Sequence, residues 1–383
     1  MQQPVRVCFV VENLLPAGTE LWIVRLIETL DRGRVTPFLC LLDGDGELSR
    51  GLEPESCEVL RLGMTSICSR DGIKSAKRFR HFLRTNRIDI VQVHHADPTY
   101  FAVPIAKLAG TKKILQTKYD VGYWLKRKDL WLHRAFRRLV DWTVANSEAC
   151  REASIKQEWS PRDGVVVVNN GIPLERLSQI SALQLPADET IHVGMVCNLR
   201  PVKDPHLFVQ AAMKIIERRS NVVFHIAGGG EMYSEILSLT KTLGIEHQLE
   251  LHGVIADIPA FLERMHIAVL CSQSEGLSHA VLEYMAAGRA TVVTAVGGNT
   301  ELIEHDRTGQ LVPSGDVSAL AKAIERFVAD PAFANRMGRN AREHVAARYS
   351  FEAMAERFAA FYAGLVPGET SAATKKANDY VTV

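Results

Sequence analysis

Short apolar runs rich in β-branched residues alternate with amphipathic segments along almost the whole chain. Strands of a parallel sheet are buried on both faces, so they read as continuous apolar runs, whereas helices repeat apolar positions every three or four residues. The alternation is therefore typical of βαβ units. In the first half, the predicted strands are 5–11, 36–42, 57–62, 89–94, 112–117, 141–145 and 165–168, and the predicted helices are 19–31, 72–86, 99–109, 128–139 and 147–157.

The same alternation restarts after a polar stretch, 178–190, which contains Pro186 and has no core pattern. We therefore predict two α/β domains, 1–177 and 178–348, then a helix within 349–366 and a disordered tail, 367–383. The predicted strands of the second half are 191–197, 222–227, 248–252, 266–271, 291–295 and 310–312, and its predicted helices are 204–219, 231–243, 257–263, 278–287, 299–304, 316–329, 331–346 and 350–364.

Length and composition agree with a two-domain enzyme-sized protein. A chain of 383 residues is too long for one ordinary core, and 47% hydrophobic with 23% charged residues is typical of globular proteins. No apolar run has the length of a membrane span, and the first one lacks the features of a signal peptide. The seven cysteines show no C-x-x-C pairing, so we expect reduced thiols in a cytoplasmic protein.

Two carboxylates, Glu275 and Glu283, flank the predicted start of one helix. Ser278 is a good N-cap residue and Gly288 a good C-terminal stop, which places Glu275 in the loop after a strand and Glu283 in the second helical turn. The helix N-terminus between them can hold a phosphate. Alone, the two glutamates would more simply be a loop charge and a solvated helix residue.

Three further motifs follow predicted strands of the second domain. Asn198-Leu-Arg200-Pro-Val-Lys203 brings two cations to a loop, where they could neutralise a diphosphate. The glycines 228–230 allow backbone to approach a ligand closely, and Val296-Gly-Gly-Asn-Thr-Glu is a glycine turn before a helix. Each motif by itself is weak, since loops commonly contain cations and glycines.

Together these motifs resemble the second domain of glycosyltransferase family 4, which comprises retaining sugar transferases with the GT-B fold. The resemblance includes Ser272-Gln-Ser-Glu-Gly-Leu, Glu283-Tyr-Met-Ala-Ala-Gly, Val296-Gly-Gly-Asn-Thr-Glu-Leu and Thr308-Gly-Gln-Leu-Val-Pro-Ser-Gly-Asp. The first domain is similar more loosely, through Ala17-Gly18-Thr19-Glu20, Asp89-Ile-Val-Gln-Val-His94, Ala145-Asn-Ser147-Glu and Asn169-Asn-Gly171-Ile. The final helix resembles the one that crosses back to the first domain.

This resemblance implies an α/β GT-B fold, with two Rossmann-like doubly wound domains facing across a cleft, and a hexosyltransferase that uses a UDP- or GDP-sugar. It implies that Glu283 binds the ribose and that Glu275 binds the donor sugar. The implied donor-binding residues are Gly18, Asn198, Arg200, Lys203, Gly229, Glu275, Gly276, Leu277, Ser278 and Glu283, and the implied catalytic residues are Glu275, His94, Arg200 and Lys203. No cofactor and no metal are expected, because cations and a helix dipole can offset the leaving group's charge.

The chain departs from the family pattern at three places, one of which is Ala17-Gly18, where many members carry Gly-Gly. Many members have Gly-Arg-Leu where this chain has Cys197-Asn198-Leu199, so Arg200 would replace the usual arginine. A histidine often found near the reacting sugar is replaced within Lys118-Tyr119-Asp120, and Tyr119 aligns with it. These three residues and His94 are the expected acceptor side. In retaining transfer of this type, an oxygen of the departing diphosphate takes the acceptor's proton, so a side-chain base is dispensable.

Three histidines have open roles. His94 and His95 end a predicted strand, where adjacent side chains face opposite ways, and we favour His94 for the site. His279 could contact the donor sugar or cap its helix.

The first half is basic and the second half acidic, which suggests separate partners. Two basic segments with interleaved apolar residues, 70–87 and 126–138, could lie on anionic lipid. Equally, their apolar residues could face the domain core. Our hypothesis is peripheral contact with the inner face of the membrane and a lipid-linked or polysaccharide-precursor acceptor. Nucleic acid is not an expected partner, because the aromatic residues form no evident stacking platform.

Other functions compete with transfer. A GT-B epimerase would release an altered sugar without an acceptor, a phosphorylase would need phosphate, and a nucleotide-sugar sensor would bind without turnover. A NAD-dependent dehydrogenase is disfavoured because no glycine-rich turn completes G-x-G-x-x-G with a following acidic residue.

Overall fold

The protein divides into two compact units, Met1–Asn170 with Phe351–Val383 and Gly171–Ser350. A computed structural model describes residues 3–15, 18–43, 46–64, 66–67, 69–123, 125, 127–185 and 189–366. The sequence analysis placed the domain limits after residues 177 and 348. The predicted tail, 367–383, lies outside the described residues.

Unit 1 is a parallel seven-stranded sheet with helices packed on both faces. Its strand order, β3-β2-β1-β4-β5-β6-β7, is the doubly wound order of a Rossmann-like domain. The strands are β1 Val5–Val11, β2 Val35–Leu41, β3 Glu58–Arg61, β4 Ile90–His94, β5 Lys113–Lys118, β6 Trp142–Ala145 and β7 Val165–Val167. The helices are α1 Gly18–Thr29, α2 Glu47–Gly51, α3 Arg70–Thr85, α4 Ala96–Ala109, α5 Arg127–Arg137 and α6 Glu148–Glu158.

Unit 2 repeats this plan with six parallel strands in the order β10-β9-β8-β11-β12-β13. Its strands are β8 Ile191–Val196, β9 Val222–Ala227, β10 Leu249–Gly253, β11 Ile267–Leu270, β12 Ala290–Thr294 and β13 Gln310–Val312. Its helices are α7 Pro205–Ile216, α8 Tyr233–Leu243, α9 Ile258–Arg264, α10 His279–Ala286, α11 Asn299–Leu302, α12 Val317–Ala329 and α13 Pro331–Arg348. Because β8 and β11 are neighbours, the loops that follow them emerge side by side.

The last helix, α14 Phe351–Leu365, packs in the core of unit 1. Phe358 lies edge-on against Trp22 of α1, and the Tyr362 hydroxyl donates to Gln92 Oε1 at 2.7 Å. The buried Gln92 in turn donates to Thr117 Oγ1 at 3.0 Å, which links β4 to β5. The chain therefore returns to unit 1 after completing unit 2.

The predicted fold class is confirmed, and so are the predicted strands and long helices, whose ends agree within about three residues. Only α2, among the α-helices in the described part of the chain, was not predicted. Its five residues are too few to show a helical period.

Candidate functional site

The helix between the two glutamates begins and ends as predicted. The Ser278 hydroxyl accepts from the backbone N–H of Val281 and so caps α10, while Gly288 follows the helix with a left-handed φ of 66°. Ser278, rather than His279, therefore supplies the side-chain cap. Burial first and the nearby Lys203 second lower the pKa of His279 to about 4, which leaves its imidazole neutral at pH 7.

Glu275 is buried in the loop before α10, where it is already paired with a cation. Its Oε1 accepts from Lys203 Nζ at 2.6 Å and from Ser272 Oγ at 2.5 Å. The Lys203 side chain remains about one quarter exposed. One of the two cations predicted to bind a diphosphate is thus held beside the carboxylate predicted to bind the sugar.

Arg200 and Asn198 lie in the exposed loop after β8. The backbone N–H of Lys203 donates to the Arg200 carbonyl at 2.9 Å, which closes a single 3₁₀ turn. The Arg200 guanidinium forms no hydrogen bond or ion pair with any residue that the structure describes. Its charge is therefore available for an anionic ligand.

Glu283 is a half-buried carboxylate whose oxygens have no hydrogen-bond partner among the described residues. Burial raises the pKa of Glu283 to about 7, because the charged form loses hydration. A carboxylate in this condition is ready to accept hydrogen bonds from hydroxyl groups.

Tyr284 fixes the position of Glu283 relative to the loop after β8. Its buried hydroxyl accepts from the Val196 N–H at 2.7 Å and donates to the Val196 carbonyl at 3.1 Å. These two bonds tie α10 to the last residue of β8. Sequence reasoning missed Tyr284, and an aromatic residue inside a predicted amphipathic helix indicates only core packing.

Glycines in unit 2 allow neighbouring loops to pack closely against each other. A Cβ on Gly228 would lie 1.8 Å from the Cys197 carbonyl oxygen, and one on Gly297 would lie 1.8 Å from the Glu275 carbonyl oxygen. Both residues also have positive φ, which favours glycine. Both glycines thus approach the protein's own backbone closely, and an approach of the 228–230 loop to a ligand stays a prediction. Gly229 differs, since a Cβ there would meet only the Val254 side chain.

In unit 1 the two adjacent histidines have opposite surroundings. His94 is fully buried, stacks between Phe9 and Tyr119, and its Nδ1 lies 2.6 Å from the Tyr119 hydroxyl. His95 is exposed, with a left-handed φ of 71° and its Nε2 3.8 Å from Glu20 Oε1. A preference for His94 as the site residue assumed that its side chain is accessible. The structure instead buries His94 in the core of unit 1 and exposes His95. The role of His94 in the site stays a prediction.

His94 and Tyr119 are both held neutral. Burial lowers the pKa of His94 well below its usual value, and the neighbouring His95 lowers it further. Burial raises the pKa of Tyr119 well above its usual value. His94 is therefore a weaker base, and Tyr119 a weaker acid, than the same side chain is in water.

The other residues predicted for the acceptor side are bonded within unit 1. Lys118 Nζ lies 2.6 Å from Glu158 Oε1, and both side chains are buried. Asp120 Oδ1 accepts from the Gly122 N–H at 2.6 Å. Gly18 is exposed at the first position of α1, and Ala17 before it lies outside the described residues.

The two basic segments differ in what they bury. Helix α3 turns Phe79, Phe82 and Leu83 inward, as an ordinary amphipathic helix does. Helix α5 instead exposes Trp131 at 66% and buries the polar His133 and Arg137. The sequence left both outcomes open for each segment.

A basic aromatic surface is formed by Trp131, Arg134 and Trp159. The Arg134 guanidinium lies 3.8 Å from the centre of the Trp159 ring and 5.6 Å from that of Trp131, and both rings are exposed. Lys126 lies outside the described residues. Among the helices that the structure describes, none is both long and apolar enough to cross a bilayer.

Two family models match successive parts of the chain. The model of Glycosyltransferase Family 4 matches residues 16–176, and that of Glycosyl transferases group 1 matches residues 179–344. The chain is 25% identical over 311 residues to the UDP-Gal:alpha-D-GlcNAc-diphosphoundecaprenol alpha-1,3-galactosyltransferase of Escherichia coli, covering 77% of this chain and 80% of that one. It is 26% identical over 309 residues to a GDP-mannose-dependent alpha-(1-6)-phosphatidylinositol monomannoside mannosyltransferase of Mycobacterium tuberculosis, covering 75% and 79%.

Solved structures show the same fold at low sequence identity. Anabaena Alr3699/HepE, crystallised in complex with UDP, superposes with a TM-score of 0.80 at 19% identity over 93% of this chain and 99% of that chain. A glycosyltransferase from Rickettsia africae superposes with a TM-score of 0.82 at 18% identity over 97% and 100%. The two parallel-sheet domains, the motifs around Glu275 and Glu283, and the two family models together show that this chain belongs to glycosyltransferase family 4 and has the GT-B fold.

Proposed function

We propose that this protein is a retaining glycosyltransferase that moves a hexose from a nucleotide-diphosphate sugar to a lipid-linked or polysaccharide-precursor acceptor. The observation that carries the proposal is the set of polar groups around the N-terminus of α10. An exposed guanidinium, a Lys203–Glu275 pair and the carboxylate of Glu283 lie in loops or helix turns after adjacent strands. A diphosphate flanked by two sugars has matching chemistry.

Each part of the donor has a partner in this arrangement. The diphosphate binds Arg200 and Lys203, with Asn198 beside them, and the ribose hydroxyls donate to Glu283. The donor sugar binds Glu275 and the backbone of Gly276, Leu277 and Ser278. Gly229 completes the donor contacts that unit 2 provides, and a contact of Gly18 with the diphosphate stays a prediction. Lys203 then bridges the sugar and phosphate portions, because it already contacts Glu275.

The transfer needs no metal in this proposal. Two cations and the positive end of the α10 dipole offset the charge that develops on the departing diphosphate. The acceptor attacks from the face that the diphosphate leaves, and a diphosphate oxygen takes its proton. The neutral states of His94 and Tyr119 support this route, and Lys118 and Asp120 are already bonded to Glu158 and to the Gly122 N–H.

UDP is the first nucleotide to test. The E. coli relative is named for UDP-Gal, and HepE was crystallised with UDP. GDP is second, because the mycobacterial relative is GDP-mannose-dependent.

The acceptor is proposed to be presented at the inner face of the membrane. The two relatives are named for a diphosphoundecaprenol and a phosphatidylinositol acceptor. The exposed Trp131 and Trp159 with Arg134 between them suit the interface of an anionic bilayer, where aromatic rings and cations both bind favourably.

A donor screen followed by product analysis tests the proposal. Thermal denaturation is measured with UDP-, GDP- and ADP-sugars, and the stabilising donor is then incubated with a diphosphoundecaprenol-linked sugar. We expect one nucleotide class to raise the midpoint, and proton NMR to show that the product keeps the donor's anomeric configuration. An inverted product would refute retention.

Three further outcomes separate the rival functions. An altered sugar released without acceptor would indicate an epimerase, and sugar 1-phosphate formed only with inorganic phosphate would indicate a phosphorylase. Stabilisation without any donor hydrolysis or transfer would indicate a sensor. EDTA should leave transfer unchanged, and loss of transfer that Mg²⁺ restores would contradict the metal-independent step.

A further inference from the structure

A cluster of histidines with one glutamate spans four neighbouring strands of unit 2, apart from every residue assigned to the donor. His192 is on β8, His225 on β9, Glu250 and His252 on β10, and His266 directly before β11. His225 is the register partner of Glu250. Because alternate residues of a strand share a face, His225, Glu250 and His252 come together on the same side of the sheet.

Three atoms of this cluster form a triangle of suitable size for a metal ion. His225 Nδ1 and His252 Nε2 are 3.1 Å apart, and Glu250 Oε2 lies 3.5 Å from the first and 3.7 Å from the second. A point equidistant from all three lies about 2.0 Å from each, which is the Zn–N and Zn–O distance. Tetrahedral ligands about a zinc ion stand about 3.3 Å apart, which is close to these edges.

We propose that His225, Glu250 and His252 bind a divalent transition-metal ion of the zinc class. Two imidazoles and one carboxylate are a donor set that zinc prefers. Among the residues that the structure describes, this is the one group of three or more such side chains within reach of a common ion. The inference is independent of the proposed transferase function.

The surrounding residues orient His225 for this role. Its Nε2 lies 2.8 Å from His192 Nδ1, and the backbone N–H of His192 donates to His266 Nδ1 at 2.9 Å. If His225 donates its Nε2 proton to His192, the lone pair on Nδ1 faces the ion. Such a second hydrogen bond on a ligating imidazole is the usual way in which a protein sets its tautomer.

One side of the site is buried and the other is exposed to solvent. His225 is 1% exposed and packs against the Phe261 ring of α9, whereas the Glu250 side chain is 49% exposed. An ion can therefore enter from solvent, and water can occupy the fourth position. Arg264 is the nearby cation, and the carboxylate of Glu250 supplies the opposing charge.

The ion would fasten an edge strand close to the donor loops. Strand β10 is the outermost strand of the sheet, and the three ligands join it to β9. His252 precedes Gly253, whose carbonyl accepts from the Gly228 N–H at 2.7 Å. The metal would thus stabilise the strand that holds the glycine loop containing Gly229, without entering the donor chemistry.

Calorimetry with zinc chloride on the tag-free full-length chain, stripped with EDTA and then desalted, tests the site. We expect about one ion per chain and a rise in the thermal midpoint. Cobalt(II) should give the visible absorption of a tetrahedral ion. Losing a ligand in His252→Ala should weaken zinc binding at least about 100-fold, and losing the orienting group in His192→Ala should weaken it about 10- to 100-fold.

A matched control is available in the same unit. His206 Nε2 lies 2.9 Å from Glu235 Oε1, so it is also a histidine beside a glutamate, but without a third ligand. His206→Ala should bind zinc as the parent does. Because Glu250 is half exposed, Glu250→Gln should fold normally and still lose affinity, which protects the test if a histidine variant misfolds. No zinc binding by the parent, or equal binding by the parent and both Glu250→Gln and His252→Ala, would overturn the proposal.

Discussion

The polar residues that follow the strands of the two sheets differ in burial and in pairing. In unit 1, Lys118 is buried against Glu158 and His94 is bonded to Tyr119. In unit 2, Arg200 is exposed with no partner among the described residues, and Glu283 is half buried with an elevated pKa. The strand topology is similar, yet Lys118 already has a buried ionic partner, whereas Arg200 and Glu283 have none among the described residues.

This difference indicates where binding energy for a charged ligand can come from. Lys118 would have to leave its buried partner Glu158 to reach a ligand, whereas the unpaired Arg200 and Glu283 gain partners when a ligand arrives. In our proposal, these groups of unit 2 bind the nucleotide diphosphate. In unit 1, the Lys118–Glu158 pair is instead part of the buried structure.

The largest expected effect is on the stability of unit 1. Lys118→Met leaves the buried Glu158 carboxylate without its cation, which should lower the free energy of unfolding by about 3–5 kcal/mol in urea titrations. Arg307→Gln removes a surface pair with Glu304 and should change it by less than about 1 kcal/mol. The double variant Lys118→Met/Glu158→Leu should recover much of the loss. A loss for Lys118→Met as small as the surface control would mean that the pair is not structural.

The second largest expected effect distinguishes the roles of the two glutamates of unit 2. Glu275→Ala should reduce kcat/KM for transfer by about 100- to 1,000-fold, the usual cost of losing one transition-state contact, with little change in the Kd of free UDP. Glu283→Ala should weaken UDP itself by about 10- to 100-fold, because it removes hydrogen bonds to a charged acceptor.

Calorimetry with the nucleoside diphosphate and with the intact donor distinguishes these roles. Equal losses for both ligands in both variants would refute the division of roles. Tyr284→Phe is a useful companion, because it keeps both carboxylates and removes the two bonds that fasten α10 to Val196. It should weaken UDP binding less than Glu283→Ala does.

The elevated pKa of Glu283 predicts a pH dependence with a definite sign. The folded carboxyl holds its proton up to about pH 7, whereas an unfolded glutamate releases it near pH 4.3. The resulting stabilisation is complete below about pH 4.3 and is lost as the pH rises through 7. Between pH 5 and 8 the parent should lose about 2–3 kcal/mol of unfolding free energy relative to Glu283→Gln. Parallel profiles for the two proteins would contradict a raised pKa.

The smallest expected effect concerns the surface of α5. Trp131→Ala should reduce binding to vesicles that contain anionic lipid by about tenfold, since an exposed aromatic ring loses its apolar contact. Leu108→Ala removes a comparably exposed apolar side chain from α4 and should leave vesicle binding unchanged. Equal effects of the two substitutions would show that no particular surface of unit 1 contacts the bilayer.

Local features of the sequence were sufficient for the elements and for part of the site. Ser278 and Gly288 delimit α10 because capping and left-handed backbone depend on the residue itself and its near neighbours. Continuous apolar runs predicted the parallel strands for a similar reason, since burial on both faces leaves no polar alternation. The position of Glu275 and Glu283 on either side of that helix start followed directly.

Contacts across strands could not be predicted in this way. Lys203 and Glu275 are separated by 72 positions and meet because β8 and β11 are adjacent in the sheet. Similarly, three strands had to assemble in the order β10-β9-β8 before His192, His225 and His252 came together. No spacing along the chain encodes such neighbours.

By itself the sequence determined the two-domain α/β fold, the family and the donor-side motifs, because these depend on short-range patterns of apolar, capping and glycine residues. Only the tertiary structure decided which ionisable groups are free. It buried His94 and exposed His95, paired Lys118 with Glu158, and turned Trp131 of α5 outward while burying Arg137. The physical reason is that solvation and charge pairing depend on which distant elements pack together, and the order of the strands sets that packing.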